Sequence, residues 1–158
     1  MVAGPVKTPC VGICSTTYGD QVCRGCRRFA HEIIDWNRYD DDQKRAVRAR
    51  LIALRDQVVS GRIRVVDPAR LTARLRHHRI PFAEDDTDAS RAWLLLWRGA
   101  RHIRRLEAYG LRVCDDWAHL SPVELRERID RDFQTLSEAH YERYINPDVP
   151  VPREEKGT

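Results

Sequence analysis

Apolar residues recur at helical spacing along most of this 158-residue chain, and almost nowhere alternate as a half-buried strand requires. Phe29, Ile33 and Trp36 stand four and three apart and predict a short helix over Phe29–Trp36. A second helix is expected from about Asp41 to Ser60, with Val47, Leu51, Leu54 and Val58 as its apolar stripe and Gly61 where a C-terminal cap belongs. Asp67-Pro68 pairs an N-cap side chain with a proline at the first helical position, and so opens a third helix whose register is Leu71 and Leu75. Ile80-Pro81 closes it. Trp93, Leu96, Trp97, Ala100 and Ile103 predict the longest apolar helix, with its stop at Gly110. Ser121-Pro122-Val123-Glu124 is a capping box for a last helix built on Leu125, Ile129, Phe133 and Leu136. Only Ile63 to Val66 suggests a short extended link.

The fold class expected is mainly α: a small irregular four-cysteine metal knot followed by about five helices packed as a helical bundle. The division expected is a cysteine-rich metal-binding module with two helices over residues 1–60, a helical region over 61–145 and a proline-rich, charged, disordered tail over 146–158. Trp36 and Trp117 each stand a few residues before a helix-capping side chain, which suits apolar clamps at helix starts.

Composition narrows the class. With 42% apolar and 33% charged residues the chain is that of a globular protein rather than a disordered one. No run approaches the eighteen apolar residues of a membrane span, and the first ten residues lack the apolar core of a secretory signal. A cytoplasmic location is expected, with no membrane partner. That compartment is reducing, which disfavours structural disulfides.

The cysteines then become informative. Four of the five lie within CVGICSTTYGDQVCRGC, from Cys10 to Cys26. The spacing C-x3-C-x8-C-x2-C puts two sulfurs on each of two tight turns, joined by a loop with Gly19 at its tip. Cys10, Cys14, Cys23 and Cys26 can then surround one zinc ion, at Zn–S distances of about 2.3 Å, or hold an iron–sulfur cluster. The spacing leaves the choice of metal open. Arg24, Arg27 and Arg28 follow closely enough to offset thiolate charge, and Cys26 precedes the Phe29 helix, whose free N–H groups favour a thiolate. His31 is the nearest histidine but is not needed, since four cysteines complete a tetrahedron. Cys114 stands alone and reads as a buried structural residue.

The same stretch, through Pro9-Cys10-Val11-Gly12-Ile13-Cys14 and Cys23-Arg24-Gly25-Cys26-Arg27-Arg28, then Glu32-Ile33, Trp36, Asp41–Val47 and Ala49-Arg50-Leu51, resembles the bacterial family of domain of unknown function 1289. The resemblance covers about residues 8–55 and includes all four of the family's cysteines. The family is described as predicted iron–sulfur proteins, so the resemblance implies a cluster at these cysteines and brings no activity with it. One departure is Tyr39-Asp40-Asp41-Asp42, where the family more often carries an apolar-Ser-Asp type of cap.

Charge is unevenly spread: residues 1–59 carry +3, residues 60–105 carry +6 and residues 106–158 carry −5. On the Trp93 helix, Arg98, Arg101 and Arg105 are spaced as one stripe, and Arg70 and Arg74 make a shorter one on the preceding helix. Such stripes can track phosphates, but the acidic last helix, with Glu124, Glu127, Asp130 and Asp132, offers them partners within the chain. No nucleophile elbow, phosphate loop or distinct carboxylate pair is present, so a non-enzyme is favoured. The function expected is a four-cysteine metal-binding adaptor, sensor or electron-transfer accessory with a protein partner. The alternative is a nucleic-acid-binding module with a structural zinc and a basic helical face.

Overall fold

A computed structural model describes residues 6–12 and 14–145 of the chain; the expected tail over 146–158 lies outside the described residues. Five helices carry most of it: α1 (Ala30–Asp35), α2 (Asp41–Ser60), α3 (Pro68–His77), α4 (Asp88–Gly99) and α5 (Pro122–Tyr144). Two three-residue strands, β1 (Ile63–Val65) and β2 (Leu111–Val113), pair antiparallel. The class is thus mainly α, of the helical-bundle kind. The chain divides into two compact units, Met1–Val47 with Gln134–Thr158 and Arg48–Phe133, so α2 and α5 each contribute residues to both.

In the first unit, a 3-10 turn over Ser15–Tyr18 ends at Gly19, whose φ of 98° is a conformation glycine adopts at little cost. The chain then doubles back on itself. Val22 and Phe29 form an antiparallel bridge, and Cys23 donates its N–H to the Arg28 carbonyl at 2.9 Å, closing a tight loop over Cys23–Arg28. Arg27 supplies the reversal with φ of 65°, and its N–H returns to the Cys23 carbonyl at 2.8 Å. Phe29 has no exposed surface; its ring lies against His31, His140 and Tyr141. Glu32 is also buried, and its carboxylate accepts the Phe29 N–H at 2.8 Å, the half of a capping box that begins α1. The last part of α5 covers this loop: Gln134 Nε2 donates to the Val22 carbonyl at 3.4 Å and the Tyr141 hydroxyl lies 3.1 Å from Gln21 Oε1.

The second unit is built on Leu71 and Leu75 of α3, Leu95 and Leu96 of α4, Leu125 and Ile129 of α5 and Leu111 of β2, all buried. Asp67 caps α3 by accepting the Arg70 N–H at 3.0 Å, ahead of Pro68 at the first position. Thr87 accepts the Ser90 N–H at 3.0 Å and starts α4, and Ser121 does the same for α5 through the Glu124 N–H at 3.2 Å.

The apolar helix expected to run on to Gly110 does not do so. α4 stops at Gly99, a residue with poor helix propensity, and a 3-10 turn over Ala100–His102 leads into extended backbone at Ile103. Gly110, with φ of 76°, instead caps a separate 3-10 turn over Leu106–Tyr109 just before β2, and its backbone packs so closely on Asp67 that a Cβ would sit 2.4 Å from the Asp67 carbonyl oxygen. Ile63 to Val65 is extended as expected, but its partner strand carries no sequence signal.

Candidate metal centre

The loop over Cys23–Arg28 brings two of the four expected ligands together. Cys23 and Cys26 are both buried, and the Cys26 thiol is within hydrogen-bond reach of the Cys23 sulfur. Their environments pull them apart in acidity. Burial by itself would push Cys23 up, but backbone N–H groups of Cys26, Ser15 and Gly25, with the Cys26 thiol, outweigh it and hold Cys23 at about 7. Cys26 is pushed up by burial, against the lowering pull of Arg28 and helped by the charge on Cys23. The greater acidity expected at Cys26 from the start of a helix therefore falls to Cys23. α1 begins only at Ala30, and backbone donors of the loop supply the stabilisation instead.

The second pair is less gathered. Cys14 is half-buried, with its sulfur 2.9 Å from Thr16 Oγ1. Its neighbour Ser15 ties that turn to the loop, accepting the Arg24 N–H at 2.8 Å. Cys10 is exposed, and its sulfur accepts the Gly12 N–H at 3.4 Å. Among the described residues no group of three or more His, Cys, Asp or Glu side chains lies close enough to hold a metal ion. The two sulfurs of the Cys23–Cys26 pair are donors of the kind a thiophilic metal takes.

Of the three arginines expected to offset thiolate charge, Arg28 reaches the Cys26 sulfur. It is 4% exposed, donates Nε–H to Cys26 Sγ at 3.3 Å, and lays its guanidinium over the Trp36 ring, 4.9 Å from the centroid. Arg24 points outward to Asp20 at 3.3 Å, and Arg27 donates to the Gly25 carbonyl at 2.9 Å. Trp36 is a buried platform for Arg28 and, at 5.7 Å, for Lys44. Cys114, expected to be buried, is half-buried.

The chain is 37% identical over 65 residues to the uncharacterized protein YdhL of Escherichia coli O6:H1, a match that covers 41% of this chain and 76% of YdhL. Residues 8–55 match the family described as "Protein of unknown function (DUF1289)". This chain belongs to the DUF1289 family. The matched span of the DUF1289 model takes in all four clustered cysteines, Arg28 and Trp36, and ends within α2. No solved structure matches the chain. Among the described residues no helix is long and apolar enough to cross a membrane.

The arginines read as a nucleic-acid face are dispersed. Arg98 lies on α4, Arg101 on the following 3-10 turn and Arg105 beyond the extended Ile103, so the three do not form one helical stripe. Arg70 lies 3.8 Å from Asp67, and Arg74 sits over the Tyr109 ring at 5.5 Å. Asp132 of the acidic last helix pairs with Arg62 and Arg128, neither of them an arginine of the expected stripe.

Proposed function

We propose that this DUF1289 protein is a small metal-binding protein in which Cys10, Cys14, Cys23 and Cys26 hold one zinc ion or one iron–sulfur cluster. The observation that carries the reading is the buried Cys23–Cys26 pair, where backbone N–H groups of the loop favour the thiolate form of Cys23 and Arg28 donates to the Cys26 sulfur. Cys14 completes a third position from the adjoining turn, and Cys10 closes the site from the exposed segment before it. A zinc ion would be structural there, because four protein ligands leave no open position. A cluster would supply one-electron redox chemistry or sensing. The protein acts through a protein partner, as an adaptor or an accessory, and belongs in a reducing compartment such as the cytoplasm, in keeping with its five free cysteines.

The test is elemental analysis with an absorption spectrum on protein purified without oxygen. Iron and sulfide with a brown visible band identify a cluster; one zinc per chain in a colourless sample identifies a structural site. Protein with neither metal, and with all its thiols open to a thiol reagent, would overturn the reading.

A further inference from the structure

The four clustered cysteines are held very unequally. The loop over Cys23–Arg28 is braced from within: the Cys23 N–H bonds the Arg28 carbonyl at 2.9 Å and the Arg27 N–H bonds the Cys23 carbonyl at 2.8 Å. The Val22–Phe29 bridge flanks it. Cys23 and Cys26 are both buried there, with their sulfurs within hydrogen-bond reach of each other, and Arg28 Nε–H donates to the Cys26 sulfur at 3.3 Å. Ordering two donors around one centre normally costs conformational entropy, and here the fold has already met that cost.

Cys10 and Cys14 have no such frame. Cys14 stands just before the 3-10 turn over Ser15–Tyr18, which contains no buried residue, and its sulfur lies 2.9 Å from Thr16 Oγ1. Cys10 is exposed; its N–H bonds Thr8 Oγ1 at 3.3 Å and its sulfur accepts the Gly12 N–H at 3.4 Å. Among the described residues, the sulfurs of these two cysteines thus bond only to neighbours two residues along the chain. Gly12, between them, is exposed and left-handed with φ of 89°, and a Cβ there would meet nothing within 4 Å. Ser15 ties the turn to the loop: its hydroxyl accepts the Arg24 N–H at 2.8 Å, and its own N–H reaches the Cys23 sulfur. Cys14 therefore adjoins a residue bonded to the pair, and Cys10 stands further back along an exposed stretch.

We propose that the four cysteines ligate in two stages: Cys23 and Cys26 anchor the metal, and Cys14 and then Cys10 close on it as an exchangeable arm that an outside thiol can displace. This order rests on the four-cysteine reading proposed above. A zinc ion that meets the pair first needs two further donors to complete a tetrahedron, and these come from water or from thiols of the molecule that carried it. Each entering cysteine replaces one such ligand and gives up its proton to that ligand or to solvent, so the coordination number is kept and no electron moves. Run backwards, the same exchange frees Cys10 first, the sulfur that another molecule can reach. The partner that suits such a site presents thiols, and it meets the exposed stretch around Cys10, Val11 and Gly12.

The experiment is native mass spectrometry of the full chain, loaded with zinc and treated with limiting N-ethylmaleimide, with the modified cysteines located by peptide mapping. Alkyl groups are expected first on Cys10 and then on Cys14, with zinc still present in the singly and doubly modified protein. Modification of Cys23 or Cys26 is expected to coincide with loss of the metal, and mapping keeps Cys114 out of the count. In a chelator competition, Cys10→Ser with Cys14→Ser retains zinc at a chelator concentration that strips Cys23→Ser with Cys26→Ser. Both variants keep three thiols, and equal amide exchange at β1 and β2 shows that the fold beyond the cysteines is intact in each. Loss of zinc with the first alkyl group, modification of Cys23 or Cys26 as early as Cys10, or equal retention by the two variants would each overturn the two stages while leaving the four ligands in place. Wild-type protein that takes up no zinc would overturn the inference together with the zinc reading beneath it.

Discussion

Arg28 and Cys23 occupy positions in this fold that their neighbours in the same short stretch do not share. Arg28 is buried with its Nε–H on Cys26 Sγ and its plane on Trp36, so replacing it by Met keeps much of its volume while removing the N–H···S bond. Groups that hydrogen-bond a metal ligand typically contribute 10- to 100-fold in affinity. Arg28→Met is thus expected to weaken metal retention by about that factor in a chelator competition, while Arg24→Met, whose partner is the exposed Asp20, leaves it unchanged. Equal effects would show that only local charge matters. Cys23→Ser is expected to lower metal content and to loosen the first sixty residues, whereas Cys114→Ser, on a half-buried residue far along the chain, keeps the wild-type metal content. That Cys23 and Cys26 lie together was legible in their spacing. Which arginine faces a sulfur was not, because the answer depends on the left-handed turn at Arg27, which nothing in the residue type signals.

At the scale of elements, caps decide more than surface ion pairs. Asp67→Ala removes the side chain that accepts the Arg70 N–H, and is expected to cost about 1 kcal/mol in urea unfolding. Arg70→Ala breaks only an exposed contact of 3.8 Å and should change stability by less than about 0.5 kcal/mol. Gly110→Ala combines a left-handed backbone with a Cβ placed 2.4 Å from the Asp67 carbonyl oxygen. A loss of about 2 kcal/mol or more is expected in the same measurement, and a neutral result would mean that the chain around Asp67 yields freely. The helices were readable because each carries its own punctuation: Asp67-Pro68 before α3, Ser121 before α5, Gly61 after α2. β2 was not, since three residues, Leu111-Arg112-Val113, are too few to show a period, and their partner lies far back at Ile63–Val65. Gly110 does end a helical turn, Leu106–Tyr109, but the earlier break at Gly99 separates that turn from α4, and Gly99 lies inside an apolar spacing that carries no other stop.

For the molecule as a whole, the first unit draws on both described ends of the chain. Metal removal by a chelator is expected to lower hydrogen-exchange protection across the Cys23–Arg28 loop, which carries two of the proposed ligands, and the adjoining α1, and to leave protection at β1 and β2 unchanged. Loss of protection throughout would mean that the metal holds the entire fold rather than one unit. There is also a consequence for synthesis. The Cys10–Cys26 stretch leaves the ribosome before Gln134 and Tyr141, which bond Val22 and Gln21 and emerge more than a hundred residues later. Until they emerge, the Phe29 ring lacks His140 and Tyr141. On the proposed reading, the nascent cysteine stretch meets its metal, or a metal-delivering protein, before α5 has reached Phe29.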